Sequence, residues 1–463
     1  MTASSAPPPR IRLSGPAWVR ARLFPNAWSG ALTLVLLPVI LYLGYRVLLF
    51  IFVNADWEAV ERNLTLFMQG TFPRDQQWRL VSQILVFGLA LGVGAGTASA
   101  SARDRALEAG LPYKRRTLAS VLRRFWSLIA FVLVLLYFAT TITPWLVVLG
   151  AVTAVLIGLQ AHRFPITLRL YGWLLMSLLL IVGFQVVSGT TGRAWMVTAI
   201  AVGIGAWSLT GSRRIAPGWA TWALKTGAVV VAAVVVFLVY SVVTVPGVGW
   251  DEWSGLHLTL WVSALAIILS FPIGLLLALA RRSSLPALRW LATTYIELIR
   301  GVPLISLLFL GNYALGFLLP RGTSLSGISR AIASFTLFTA AYVAEIVRGG
   351  LQSLPVGQTE AGQALGLSTA SVMRLIVLPQ ALRAVIPAMV GQFISLFKDS
   401  SLLTIIAILE FLGVRSLIHA QPDFRVTAHA ETLVFVAVGY WAFAYAMSRE
   451  SQRLEGRLGV GER

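Results

Sequence analysis

The chain has 463 residues, of which 57% are hydrophobic and 12% charged, and its formal net charge is +19. Soluble domains are nearer half apolar and a quarter charged, so this composition excludes an ordinary soluble protein. The absence of cysteine excludes disulfides and thiolate metal sites. The excess of arginine is explained by loops on one side of a membrane rather than by nucleic acid as a partner.

Runs of about 20 apolar residues, the length needed to cross a bilayer as a helix, recur along the whole chain. We therefore expect an all-α polytopic transmembrane bundle, because only helices satisfy their backbone groups locally in lipid. The chain predicts about twelve spans, near 31–53, 80–100, 125–143, 145–161, 171–188, 195–211, 226–244, 257–280, 288–318, 327–347, 383–412 and 430–449. Basic and non-basic loops alternate between them, which predicts that both termini are cytoplasmic.

Four regions follow from this pattern. The basic, proline-rich residues 1–27 predict a disordered cytoplasmic tail, and residues 28–250 form a multi-span extension with few polar motifs. Residues 256–452 contain several polar motifs in close order, and 453–463 form a second cytoplasmic tail. The alternative that the chain starts with a signal peptide is disfavoured, because the first apolar run exceeds the usual 7–15 residues.

One polar stretch stands out in the second half, "TEAGQALGLSTASVMRLIVLP", from Thr359 to Pro379. Thr359 is a good N-cap, and Glu360 favours the positive end of a helix dipole. Gly366 supplies a left-handed residue that ends the first helix, and Ser368 caps a second helix that runs to about Pro379. The sequence predicts a helix–turn–helix on the cytoplasmic side, and an ordinary structured loop is the alternative.

This stretch resembles the cytoplasmic coupling loop of ABC importer permeases, whose pattern is EAA, three residues, G, and an apolar run ending in LP. The matching positions are Glu360, Ala361, Gly366, Leu378 and Pro379. Gly362 replaces the usual third alanine, which is a change from one small residue to another.

The resemblance extends over most of residues 256–452. "YIELIRGVPLISLLF" (Tyr295–Phe309), "AAYVAEIVRGGLQSLPVGQ" (Ala340–Gln358) and "VGQFISLFKDSSLLTII" (Val390–Ile406) are similar to consecutive segments of the polar amino-acid branch of these permeases. "NLTLFMQGTFPRDQQWR" and the long extension resemble the general L-amino-acid subgroup.

The resemblance implies a type I permease subunit that carries amino acids across the bacterial inner membrane. It also implies an ATP-binding subunit, a second and different permease chain, a periplasmic amino-acid-binding protein and membrane lipid as partners. The residues that would form the ATPase-coupling loop are Glu360, Ala361, Gly362, Leu365, Gly366, Leu367 and Pro379. The resemblance further implies that this chain is non-catalytic and needs no cofactor, which agrees with the absence of a GxxxxGK[ST] motif.

Charged residues within spans are expensive and are therefore candidates for function. Lys398, Asp399 and Ser400 are candidates for lining the substrate path, with an interfacial ion pair near the outer end as the alternative for Lys398 and Asp399. Glu297 and Arg300 are three residues apart and predict an ion pair on one helix face. The stripe Gly88, Gly92 and Gly96 predicts close helix packing within the chain.

Two other classes of function are the alternatives, and the sequence disfavours both, since of the features below it contains only the KDSS region of the second half. A secondary transporter driven by an ion gradient usually has acidic residues or histidines in several spans and broken helices repeated between its halves. A membrane-embedded enzyme would need a cluster of His, Asp or Ser, and the sequence shows none. The four histidines, His162, His257, His419 and His429, lack metal-ligand spacing.

Overall fold

The structure is a computed structural model that describes residues 15–110, 118–165, 169–188, 247–318, 325–425 and 427–458. The helices of the first half are α1 (Gly15–Leu23), α2 (Ala27–Leu49), α3 (Glu58–Arg62), α4 (Leu64–Gln69), α5 (Gln77–Glu108), α6 (Leu118–Arg124), α7 (Trp126–Tyr137), α8 (Thr143–Leu159) and α9 (Arg169–Ser188). Residues 15–23, which were predicted to be disordered, therefore form a short helix. A π-helical turn, Phe50–Asn54, extends α2.

The helices of the second half are α10 (Gly255–Arg281), α11 (Pro286–Gly301), α12 (Leu304–Phe309), α13 (Gly327–Gln352), α14 (Gly357–Ala364), α15 (Thr369–Val372), α16 (Leu378–Asp399), α17 (Arg415–His419) and α18 (His429–Leu458). A π-helical turn and one more helical turn extend α12 to Leu318. Another π-helical turn, Met373–Val377, joins α15 to α16, and a 3₁₀ helix, Ser400–Ile406, follows α16.

Seven helical segments of the described residues are long and apolar enough to cross a membrane, and the bent pair α11–α12 would make an eighth. The predicted helical bundle is confirmed. The predicted spans 195–211 and 226–244 lie outside the described residues, so the count of twelve stays a prediction. The span predicted at 125–143 is shorter than expected, because α7 has 12 residues and Pro144 starts the next helix.

The continuous span predicted at 288–318 is wrong. The helix breaks after Gly301, and the axes of α11 and Leu304–Ala314 are bent by 106°. Val302 is extended, with φ −103° and ψ 135°, because a residue that precedes proline is driven out of the α-helical region. Pro303 then starts the next helix, where its missing N–H has no cost.

Small residues allow α5 and α8 to pack backbone against backbone in the extension. A Cβ atom on Gly92 would lie 2.3 Å from the carbonyl oxygen of Val155, and one on Gly96 would lie 2.7 Å from that of Leu159. A Cβ atom on Gly158 of α8 would lie 2.4 Å from the carbonyl oxygen of Leu89. The predicted packing of the glycine stripe within the chain is confirmed.

Aromatic side chains attach the extension to the second half. Phe67 of α4 lies 4.8 Å from Phe435 and 6.1 Å from Phe411, measured between ring centroids. Phe131 of α7 lies 6.1 Å from the same Phe435, and all four rings are buried. Ring pairs in such tilted or edge-on arrangements stabilise a contact beyond their buried area.

We predict that Gly92→Val destabilises the extension by about 1–3 kcal/mol, because the new side chain would overlap the α8 backbone. Gly44→Val is the matched control, since a Cβ atom there meets nothing within 4 Å. Thermal unfolding of both variants in detergent tests this, and equal midpoints for the two would contradict the packing argument.

Candidate functional site

The first helix of the polar stretch, α14, begins two residues before the predicted N-cap. Its N-cap is Val356, which makes no side-chain capping bond, and Thr359 lies inside the helix. The expectation that Thr359 caps this helix is therefore wrong. The turn starts earlier, because the Gln358 N–H donates to the Pro355 carbonyl and the Thr359 N–H donates to the Val356 carbonyl. Glu360 remains in the first turn and is exposed, where a carboxylate complements the helix dipole.

Gly366 ends α14 in the way its residue type predicts. It has φ +75°, the left-handed region that glycine adopts without a Cβ penalty. Its N–H donates to the carbonyl of Gln363 at 2.9 Å, and the Leu367 N–H donates to that of Gly362 at 3.2 Å. This pair of bonds is the Schellman motif, which satisfies carbonyls that the helix end leaves free.

Ser368 caps the second helix as predicted, since its side chain accepts a hydrogen bond from the Ser371 N–H at 3.3 Å. The predicted end of that helix near Pro379 is wrong. Pro379 lies in the first turn of α16, so helical structure continues from Thr369 to Ile406. The polar turn is thus directly connected to a spanning segment. We call α14, the Gly366 turn and α15 the elbow.

The elbow combines a buried inner side with exposed apolar side chains. Gly362 is buried, and a Cβ atom on it would lie 2.8 Å from Val372 Cγ2, so a small residue is required at this contact. On the outside, Leu365 is 79% exposed, and Val356 and Leu375 are also exposed. Large apolar side chains exposed next to polar ones are typical of a protein interaction surface.

An ion-pair network, the charge cluster, connects α10, α11 and α13. Glu345 accepts hydrogen bonds from Arg281 and Arg348, and its carboxylate lies 3.6 Å from Arg300. Glu297 pairs with Arg281 at 2.9 Å. The predicted pair of Glu297 with Arg300 is therefore wrong. Glu297 pairs with α10 and Arg300 with α13, and contacts between helices cannot be inferred from spacing within one helix.

Lys398, Asp399 and Ser400 lie at the opposite end of α16 from the elbow, in three different surroundings. Lys398 is exposed and forms no ion pair within the described ranges, whereas Asp399 is half-buried. Ser400 is buried; its hydroxyl donates to the Phe397 carbonyl at 2.6 Å and lies 3.3 Å from the Tyr440 hydroxyl. Their role in a substrate path stays a prediction.

Glu410, which the sequence analysis missed, is fully buried beside this end of α16. Its carboxylate accepts hydrogen bonds from the Leu412 and Gly413 N–H groups, both at 2.7 Å, from Tyr440 at 2.8 Å and from Thr404. Burial raises the pKa of the Glu410 carboxyl, and these hydrogen bonds oppose the rise. The signal in the sequence was a single carboxylate within the apolar run "TIIAILEFLGV".

Within the described residues there is no group of three or more His, Asp or Glu side chains that could hold a metal ion. His419 and His429 stack at 3.9 Å between ring centroids, and one imidazole pair supplies too few ligands for a structural zinc site.

Comparison with known proteins places the second half in a family. Residues 270–458 match the model of the binding-protein-dependent transport system inner membrane component. The probable glutamine ABC transporter permease protein GlnP of Bacillus subtilis is 37% identical over 205 residues, which are 44% of this chain and 92% of GlnP. The chain belongs to this transport family. The matched residues of the family model contain the elbow and Glu410.

Two further relatives match over a similar length. The inner membrane amino-acid ABC transporter permease protein YhdY of Escherichia coli is 44% identical over 210 residues, which are 45% of this chain and 57% of YhdY. The glutamate/glutamine/aspartate/asparagine transport system permease protein BztC of Rhodobacter capsulatus is 42% identical over 214 residues, 46% of this chain and 49% of BztC. The chain thus spans about half the length of these two relatives.

Among solved structures, a chain in the crystal structure of an amino acid ABC transporter with histidines has 30% sequence identity to this chain. The match covers 44% of this chain and 92% of that one, with a TM-score of 0.40.

We predict that Glu410→Gln lowers the stability of this family member by about 1–3 kcal/mol, because an NH₂ group cannot accept the buried hydrogen bonds that the carboxylate accepts. Glu252→Gln is the matched control, since Glu252 is exposed. The measurement is the thermal unfolding midpoint of the purified protein. Unchanged midpoints for both variants would show that the Glu410 network does not hold this loop.

Proposed function

We propose that this protein is the non-catalytic permease subunit of an ATP-driven importer that moves amino acids across the bacterial inner membrane. The observation that carries the proposal is the elbow, a capped and partly apolar surface that is too polar for lipid and is continuous with a spanning helix. Such a surface suits a soluble ATP-binding subunit whose movement must reach the spans. ATP hydrolysis would then take place on that separate chain.

The coupling surface in this proposal consists of the exposed positions Glu360, Ala361 and Leu365. Gly366 sets the angle between the two helices, and Leu367 packs against the buried cluster that includes Val372. Gly362 and Pro379 are structural within this surface: the first permits close packing, and the second lies in the first turn of α16.

The names of the relatives support small polar amino acids as substrates. GlnP is a probable glutamine permease, and BztC belongs to a transport system for glutamate, glutamine, aspartate and asparagine. An amino acid brings a carboxylate and an ammonium into a low-dielectric path, where unpaired charges are expensive. Lys398, Asp399 and Ser400 are the proposed groups that compensate for them.

The proposed complex contains a second, different permease chain and a periplasmic amino-acid-binding protein. The arginine-rich loops support an orientation in which the elbow and both termini face the cytoplasm. In this orientation the binding protein would approach the side of the membrane where Lys398 and Glu410 lie.

We predict that Gly366→Val uncouples ATP hydrolysis from uptake, because a left-handed conformation costs an L-residue roughly 1–2 kcal/mol and a β-branched side chain adapts poorly to it. Gly366→Asn is the matched control, since asparagine tolerates this region and no atom lies within 4 Å of a Cβ there. Uptake of glutamine and ATP hydrolysis are measured in vesicles that contain the complete complex. Normal ATP-driven uptake by well-assembled Gly366→Val would refute the role of the elbow, and uptake that needs only an ion gradient would refute the proposed function.

We predict that Lys398→Met lowers glutamine uptake about tenfold, because a charge-assisted hydrogen bond contributes about 1.5–3 kcal/mol. Lys398→Arg should retain most of the uptake, and both variants should assemble and bind the binding protein normally. Uptake unchanged in Lys398→Met would exclude this side chain from the path. Failed assembly would instead make Lys398 a structural residue.

A further inference from the structure

Helix α11 lies along one face of the bundle rather than across it. A helix that crossed the membrane would carry Glu297 about 16 Å away from Pro286 along the bilayer normal. Instead, Glu297 pairs with Arg281, the last residue of α10, and a short turn connects the same end of α10 to Pro286. Pro286 and Glu297, eleven residues apart on α11, are therefore both within reach of the same end of α10. The 106° bend to the following helix agrees with this orientation.

The side chains of α11 form three faces, one buried, one exposed and apolar, and one polar. One side is buried against α10 and α13 through Ala292 and Ile296. A second side exposes Leu288, Leu291 and Leu298, of which Leu298 is 63% exposed. These leucines follow the i, i+3 and i+10 spacing of one helix face. The third side is polar and contains Arg289, Thr293, Glu297 and Arg300 at spacings of three and four residues.

The surroundings of α11 carry excess positive charge. Within the described residues, the three arginines of the charge cluster, Arg281, Arg300 and Arg348, pair with two carboxylates, Glu297 and Glu345. Two exposed arginines lie near the start of the helix: Arg289, and Arg282 in the preceding turn, which also donates to the Leu351 carbonyl at 3.4 Å. Trp290, 66% exposed, stands between the polar and the apolar side. Trp is enriched at the level of lipid headgroups, and arginine attracts anionic ones.

We propose that α11 is an in-plane membrane anchor that binds anionic phospholipid of the cytoplasmic leaflet. Leu288, Leu291 and Leu298 would lie among the acyl chains, while Arg282 and Arg289 contact lipid phosphates. The proposal rests on the cytoplasmic orientation proposed above and is independent of which substrate is carried. A helix with a polar basic side and a leucine side has the composition of known interfacial helices.

The charge of the helix favours lipid over the second permease as the occupant of this face. A protein interface would bury the leucines, and it would also have to neutralise Arg282 and Arg289, which form no ion pair within the described residues, since Glu297 on the polar side pairs with Arg281. Lipid phosphates supply that charge directly, and acyl chains cover leucines without any shape requirement. Coverage by the second permease is the competing outcome of the test.

This chain contains no cysteine, so each introduced cysteine gives a single labelling site on this subunit before the complex is assembled. Spin labels are placed on Leu291→Cys and Leu298→Cys, with Thr293→Cys as the control on the polar side, and the complex is reconstituted in phosphatidylcholine–phosphatidylglycerol vesicles. We expect relaxation by oxygen and not by a water-soluble nickel chelate at the two leucine sites, and the reverse at Thr293. Relaxation by nickel at Leu291 and Leu298, or shielding from both agents, would overturn the proposal.

A second measurement tests the preference for anionic headgroups. A fluorophore on Leu291→Cys is quenched by brominated phosphatidylglycerol or brominated phosphatidylcholine in otherwise identical vesicles. We expect stronger quenching by phosphatidylglycerol, a preference about fivefold weaker after Arg289→Gln, and a retained preference after Arg289→Lys. Equal quenching by the two lipids in the unsubstituted protein, or a preference that is undiminished in Arg289→Gln, would overturn the role of the arginines.

Discussion

Buried backbone groups without hydrogen-bond partners are costly, and this constraint determines how the helices of the second half can be interrupted. At the elbow, the Schellman bonds satisfy the carbonyls that the Gly366 turn leaves free. After the 3₁₀ helix, the Glu410 carboxylate accepts the Leu412 and Gly413 N–H groups, so the loop remains hydrogen-bonded although it is buried. Each break is thus possible because a local group replaces the missing helical partner.

The two halves of the chain differ in their most prominent contacts. The extension packs through glycine contacts between α5 and α8 and through phenylalanine rings, and these contacts depend on complementary shape. The second half contains the capped elbow, the charge cluster and the buried Glu410, all within the residues that match the transport family. The extension also contains buried polar contacts, because Arg79 donates to the Val186 carbonyl at 2.9 Å and Gln83 donates to the Gly183 carbonyl at 3.0 Å. Both halves therefore use hydrogen bonds as well as apolar packing.

The fold class and the elbow were predictable from local sequence signals. The lengths of the apolar runs indicated a helical bundle. Gly366 lacks a Cβ atom and so favours the left-handed turn, and the Ser368 hydroxyl can cap the helix that follows. The break at Pro303 was not predicted, because the apolar run on both sides of it indicated one continuous span. The pairing of Glu297 with Arg281 was not predicted either, because it depends on how α10 and α11 pack together. Glu410 was missed for the same reason, because its donors come from Tyr440 as well as from its own loop.

The continuity of helical structure from Thr369 to Ile406 has a mechanical consequence. At 1.5 Å per residue these 38 residues extend over about 57 Å, and the segment includes a π-helical turn and Pro387. A tilt of only about 5° at the elbow end would displace the far end of this segment by roughly 5 Å. That displacement is larger than a water molecule and comparable to the width of an amino acid. In the proposed importer, a small rotation at the elbow would therefore move the Ser400 end of this segment by about the size of a side chain.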